Sequence, residues 1–168
     1  MDRIQLTKNF YLDEFTRSET AARHGIDIII EPGSEVFYNI KLLCELVLQP
    51  LRDALGPVHI ISGYRPFEVN RLVGGSKHSQ HIYGLAVDLV VSGYTPLEVS
   101  RWIKHNINDF DQLIHEFGQW THVSIAGIGQ PPRKQYLTAV KVKKFMRKPK
   151  TTYIPDVISI DDALKRAA

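Results

Sequence analysis

The amino-acid sequence predicts an α+β domain in which a mainly antiparallel sheet packs against a few helices. Three observations predict it. Residues 35–55 repeat apolar side chains at helical spacing, short β-prone runs recur between Gly- and Pro-bearing turns, and two of those runs, 112–116 and 121–125, are close enough to form a hairpin. The 168 residues are 43% hydrophobic and 23% charged. That composition fits one soluble core burying roughly 70% of the unfolded surface without covalent staples.

Residues 9–25, with Phe10-Tyr11-Leu12-Asp13-Glu14-Phe15 and Ala21-Ala22, read as a short helix plus irregular chain. Glu31-Pro32-Gly33-Ser34 is a turn that offers Ser34 as the N-cap of the next helix. Over 35–55, Phe37, Ile40, Leu43, Cys44, Val47, Leu51 and Leu55 share a face. Pro50 lacks an N–H and is expected to kink or split this helix, and Gly56 to stop it. Val58-His59-Ile60-Ile61 reads as a buried strand.

Residues 62–83 are rich in Gly, Ser, His and Arg, with at most one helical turn near 67–71. A loop that long inside a compact domain is usually functional. Residues 85–91 form a second strand. Thr95-Pro96-Leu97-Glu98 opens a helix with an N-cap, a proline at its first position and a capping-box glutamate; it runs to about His105, with Val99, Trp102 and Ile103 facing inward. The hairpin strands follow, joined through 117–120, and residues 136–145 alternate enough for a last strand. The expected division is a main domain over 1–135 and a basic strand and tail over 136–168.

Composition excludes several classes. A lone cysteine, Cys44, cannot build a disulfide framework, and its place on an apolar helix face reads as a buried thiol. No run of about 18 apolar residues is available to span a membrane. The first residues lack the apolar core and cleavage site of a signal peptide. A net charge of +3 and a pI near 9.0 suit an anionic partner, wall polymer or nucleic acid, without choosing between them.

The chemistry concentrates in Ser79-Gln80-His81-Ile82-Tyr83-Gly84-Leu85-Ala86-Val87-Asp88 and in Trp120-Thr121-His122-Val123. Two imidazoles and one carboxylate are enough to hold a zinc ion and leave a fourth position open, the arrangement of a catalytic site. Taken singly, His81 reads as an exposed loop residue and His122 as a hydrogen-bonded core histidine. Asp88 lies in an apolar strand, where an unpaired carboxylate is costly. A metal, an arginine or a capping role would each satisfy it.

Together these residues resemble the zinc D-Ala-D-Ala carboxypeptidase family and its phage-type peptidoglycan endopeptidase relatives, which share a Hedgehog-like α+β fold. The family pattern Ser-x-His-x-x-Gly-x-Ala-x-Asp is matched by Ser79, His81, Gly84, Ala86 and Asp88, and its Trp-x-His-Val element by Trp120, His122 and Val123. Ser62-Gly63-Tyr64-Arg65-Pro66, Asn70 and Val73-Gly74-Gly75-Ser76 also look like this family, as does the opening Phe10 to Ser18 of its phage branch. The resemblance covers roughly residues 5–127.

It implies zinc as cofactor, with His81, Asp88 and His122 as ligands, and Arg65 facing the substrate carbonyl or carboxylate. The family's acidic residue three positions before the last histidine is Gln119 here, which cannot take a proton. The nearest carboxylate is Glu116, the expected general base, with His115 as the alternative base or a transition-state donor. A two-residue turn at 118–119 would pair His115 with His122, whereas a three-residue loop at 118–120 would pair Glu116 with His122. Ser79, Tyr83 and Trp120 are expected to bind substrate, and His78 to sit in the loop beside it.

The implied function is a zinc metallopeptidase that cleaves an amide bond in peptidoglycan stem peptides, as a D,D-carboxypeptidase or an endolysin-like endopeptidase of phage or prophage origin. The alternative is a non-catalytic wall-binding or virion module of the same fold. Such a protein would be made in the cytoplasm and reach the wall on lysis or within a virion. The stretch 141–150 carries six basic residues in ten and is expected to be solvated or to contact a wall polymer or a neighbour in a phage particle. Nucleic acid ranks last, because the run has little aromatic interleaving.

Overall fold

A computed structural model describes residues 3–143 and 148–167. Helix α1 (Glu19–Arg23) follows a 3-10 turn at Leu12–Thr16. Helix α2 (Glu35–Leu43) starts at Ser34, whose hydroxyl accepts from the Phe37 N–H, as the turn chemistry predicts. The chain then stays helical through the proline. A π turn over Cys44–Leu48 leads into α3 (Gln49–Leu55), and the Gln49 N–H donates to the Cys44 carbonyl five residues back. The wider turn passes Pro50, which has no N–H to give, without ending the helix. Gly56, at φ 94°, closes it.

Among the described residues six strands form one sheet: β1 (Val58–Ser62), β2 (Ala86–Val91), β3 (Gln112–Glu116), β4 (Trp120–Ser124), β5 (Gln135–Val142) and β6 (Lys150–Pro155). Their order is β1-β2-β4-β3-β5-β6, and every pairing is antiparallel except β3 with β5. Between β1 and β2 lie α4 (Phe67–Leu72) and a 3-10 turn at Gln80–Tyr83; α5 (Pro96–Asn106) precedes β3, and α6 (Ile160–Ala167) ends the described chain. The Thr95–Glu98 capping box forms at the start of α5.

Alternation along the strands separates two faces. Val87, Leu89 and Val91 of β2, Leu113 of β3 and Val123 of β4 are buried in one apolar cluster with Ile40, Leu43 and Val47 of the long helix and Val99 and Ile103 of α5. Trp102 is only partly buried against that cluster. Val140 and Ile154 meet Ala163 of α6 in a second, smaller cluster. The other face, which carries Asp88 and His122, is left for the chemistry.

Strand β1 is an edge and not the buried strand expected from its composition. Only Val58 is buried, and Ile61 is 49% exposed. The partition at 135/136 also gives way, because that point falls inside β5. The β5–β6 pair extends the sheet and α6 packs on it, so residues 136–143 and 148–167 are part of the fold. Of the proposed last strand, 144 and 145 lie outside the described residues, as does the 144–147 portion of the basic run.

Candidate metal centre

His81, Asp88 and His122 reach one point from three separate segments. Asp88 of β2 pairs directly with His122 of β4, so both side chains leave the same face of the sheet side by side. His81 arrives in the 3-10 turn, which is held from several directions. The Asn39 amide donates to the Tyr83 carbonyl at 2.9 Å, the Arg65 N–H donates to the His81 carbonyl at 3.1 Å, and the Gln80 amide donates to Asp111 and to the Ile125 carbonyl. Gly84 leaves the turn at φ 69°, so close to α2 that a Cβ would lie 3.0 Å from the Val36 carbonyl oxygen.

The donor atoms converge. His81 Nε2 lies 3.3 Å from Asp88 Oδ1 and 3.3 Å from His122 Nδ1, and His122 Nδ1 lies 2.8 Å from Asp88 Oδ1. A tetrahedral ion with bonds of about 2.0–2.1 Å holds its ligands about 3.3 Å apart. The donor set therefore fits such an ion closely, with one edge slightly short. The proton bookkeeping agrees. His81 Nδ1–H donates to the Gly63 carbonyl at 2.8 Å, and burial lowers the pKa of this imidazole, so it stays neutral with a bare Nε2. That lone pair faces a carboxylate oxygen, a contact that a cation between them turns from repulsive to attractive.

Gly63 supplies the orienting carbonyl because nothing larger fits: a Cβ there would sit 2.7 Å from the Phe15 Cα and backbone oxygen. A register shift between Ile60 and Ser62 turns the end of β1 and sends the chain into Gly63, Tyr64 and Arg65.

Around the three donors lies a cavity of about 800 Å³. Arg65, Ser79, Glu116 and Trp120 line it, and so does His78. Burial lowers the Arg65 pKa against the pull of Asp88 and Glu116, and its Nε is a buried donor with no partner among the described residues. Glu116 moves the other way: burial first, then the Asp88 charge, hold it above the usual carboxylate range, while His122, Trp120 and Arg65 oppose the rise. The Trp120 indole N–H, pointed towards Glu116, makes no hydrogen bond of normal geometry among the described residues.

Neither hairpin register expected from the sequence is the observed one. The connection is 117–119, with Phe117 at φ 55° and Gly118 at φ 71°, so Glu116 pairs with Trp120 and Ile114 with His122. Glu116 still shares the face of His122, as its diagonal neighbour about 7–8 Å away along the sheet. His115 pairs with Thr121 on the opposite face, where its ring N–H donates to the Ile158 carbonyl at 3.0 Å. It does not line the cavity. Tyr83 stands apart as well: it is 49% exposed and does not line the cavity, and its backbone carbonyl only helps to hold the turn.

Gln112, Arg133, Gln135, Leu137 and Tyr153 also line the cavity and were not anticipated. Arg133 is tied to Asp111 at 2.6 and 2.9 Å and to the Gln80 side chain at 2.8 Å. The usable signal was the alternation of Gln135, Leu137 and Ala139, but it points at the site only once β5 is known to lie beside β3.

Residues 8–124 match the family model described as peptidase M15. The chain belongs to that family. No curated protein matches the chain by sequence. The matched segment contains all three donors together with Arg65 and Glu116, and it ends at the last residue of β4, before β5 and β6. Membership makes the chain a metallopeptidase with a peptide substrate, and the grouped His81, Asp88 and His122 are the residues able to hold its metal ion. Among the described residues no helix is long and apolar enough to cross a membrane.

Proposed function

We propose that this M15 chain is a zinc peptidase that hydrolyses an amide bond in bacterial peptidoglycan stem peptides. The observation that carries the reading is the tetrahedral-edge spacing of His81 Nε2, Asp88 Oδ1 and His122 Nδ1, set in one cavity with Glu116 and Arg65. The chemistry that zinc supplies at such a site is Lewis acidity, which acidifies water and polarises a carbonyl. Glu116 takes the proton of the attacking water on its carboxylate and returns it to the leaving amine. Its pKa, raised by burial, makes the carboxylate a stronger base towards the water proton than an exposed one. Arg65 meets the negative charge that develops on the carbonyl oxygen with a guanidinium already partly withdrawn from water, which limits the reorganisation needed. A carboxylate beside the three donors also favours an enzyme over a binding module of the same fold. The protein would act at the cell wall after release on lysis or from a virion.

The test is digestion of purified peptidoglycan by the zinc-loaded protein, with products identified by mass spectrometry. Glu116→Gln should keep its zinc and lose about 10²–10⁴-fold in rate. A zinc-loaded parent that releases no peptide or amino acid from the wall sinks this reading.

A further inference from the structure

The register carries a row of side chains beyond the family match and up to the metal centre. Trp120 pairs with Glu116, Glu116 with Ala139, and Ala139 with Tyr153, so four strands present these residues in a line on one face. The adjacent row is Asp88, His122, Ile114 and Leu137. Two strand spacings put the Tyr153 backbone about 10 Å from that of Glu116. Between them lies Ala139, with the smallest side chain of the row and no exposure. A tyrosine there is long enough to reach across the alanine, and Tyr153 does line the cavity with Glu116.

We propose that Tyr153 is a further substrate-contacting residue of this site, donating its phenolic hydrogen to an oxygen of the residue that carries the leaving amine. This rests on the peptidase reading above. Arg65 enters from the β1 side of the metal centre and Tyr153 from the β6 side, so a peptide bound between them crosses the strands. Glu116 delivers the proton to the leaving amine, which places the leaving half of the substrate on the side where Tyr153 stands. The acceptor is a carboxylate if that residue is the last of its chain and a carbonyl if the peptide continues. Burial, then the charges of Glu116 and Asp88, keep the phenol protonated and able to donate. Among the described residues its hydroxyl has no hydrogen-bond partner, although the ring is only half exposed.

The test uses zinc-loaded parent and Tyr153→Phe, with the muropeptide that the parent cleaves fastest as probe. KM is measured directly, and Kd by calorimetry in a Glu116→Gln background. Tyr153→Phe should raise both about tenfold, the loss of one hydrogen bond to a charged or strongly polar oxygen, while zinc content and Tm stay at parental values. If amidation of the probe's terminal carboxylate removes the difference, the acceptor is the carboxylate; if the difference persists, it is the carbonyl. Unchanged Kd and KM, or a fall in kcat alone, overturn the assignment while leaving the peptidase intact. A parent that neither binds nor cleaves any muropeptide overturns the peptidase reading and this proposal with it.

Discussion

Gly63 shows how much a single residue without a side chain can control. Its missing Cβ lets the end of β1 touch the Phe15 backbone, and its carbonyl fixes the His81 tautomer. Gly63→Ala should displace that carbonyl and weaken zinc binding about 10–100-fold, the usual cost of losing a partner that orients a ligand. Competition against a chromogenic chelator measures this, and parental affinity would contradict it. Leu89 sits one position from Asp88 on the other face and is fully buried. Leu89→Ala should cost about 3 kcal/mol in urea unfolding through the cavity it leaves. The loss should appear equally in zinc-free protein, because the side chain points away from the ligands.

The elements differ in how much of them could be read before folding. Helix caps at Ser34 and Thr95 were legible because they depend on four consecutive residues. The three donors were legible as a motif, since His81 and Asp88 are separated by a short turn and one strand step. The Glu116 register was not, because Phe117 takes a left-handed conformation that its sequence does not advertise. Tyr153 and Arg133 were invisible, because the parallel β3–β5 pairing joins segments separated by the whole of β4. Arg133 nevertheless makes a testable tie. Burial alone would raise the Asp111 pKa, but Arg133 and Gln80 lower it. A depressed carboxylate stabilises the fold above its unfolded pKa and loses that contribution as the pH falls. Arg133→Gln should therefore be less stable than the parent by roughly 1–2 kcal/mol at pH 7, a value discounted because the arginine is half in solvent. The difference should shrink as acid protonates Asp111, below about pH 4. Urea titrations across that range give the answer, and a constant difference would exclude this linkage.

At the scale of the molecule, the fold is larger than the family segment. Removal of everything after residue 134 would keep the donors, Arg65 and Glu116, but would strip β5 from β3 and leave that strand as a bare edge. The truncated chain should aggregate or fold poorly, as gel filtration and circular dichroism would reveal. A soluble, zinc-binding fragment would show that the added strands are dispensable. Metal and fold should also be coupled. Free zinc at a hundred times its Kd adds about 2.7 kcal/mol, so chelation should lower Tm by roughly 5–10 °C. The β3–β5 pairing has one more consequence. Side chains alternate along β5, so slipping it by a single residue would turn Gln135, Leu137 and Ala139 inward and bring Tyr136, Thr138 and Val140 to the reacting side. A slip of two would only slide the wall. The buried face of β5, with Thr138 and Val140, thus fixes the parity of the cavity, and odd and even slips of the strand are not equivalent.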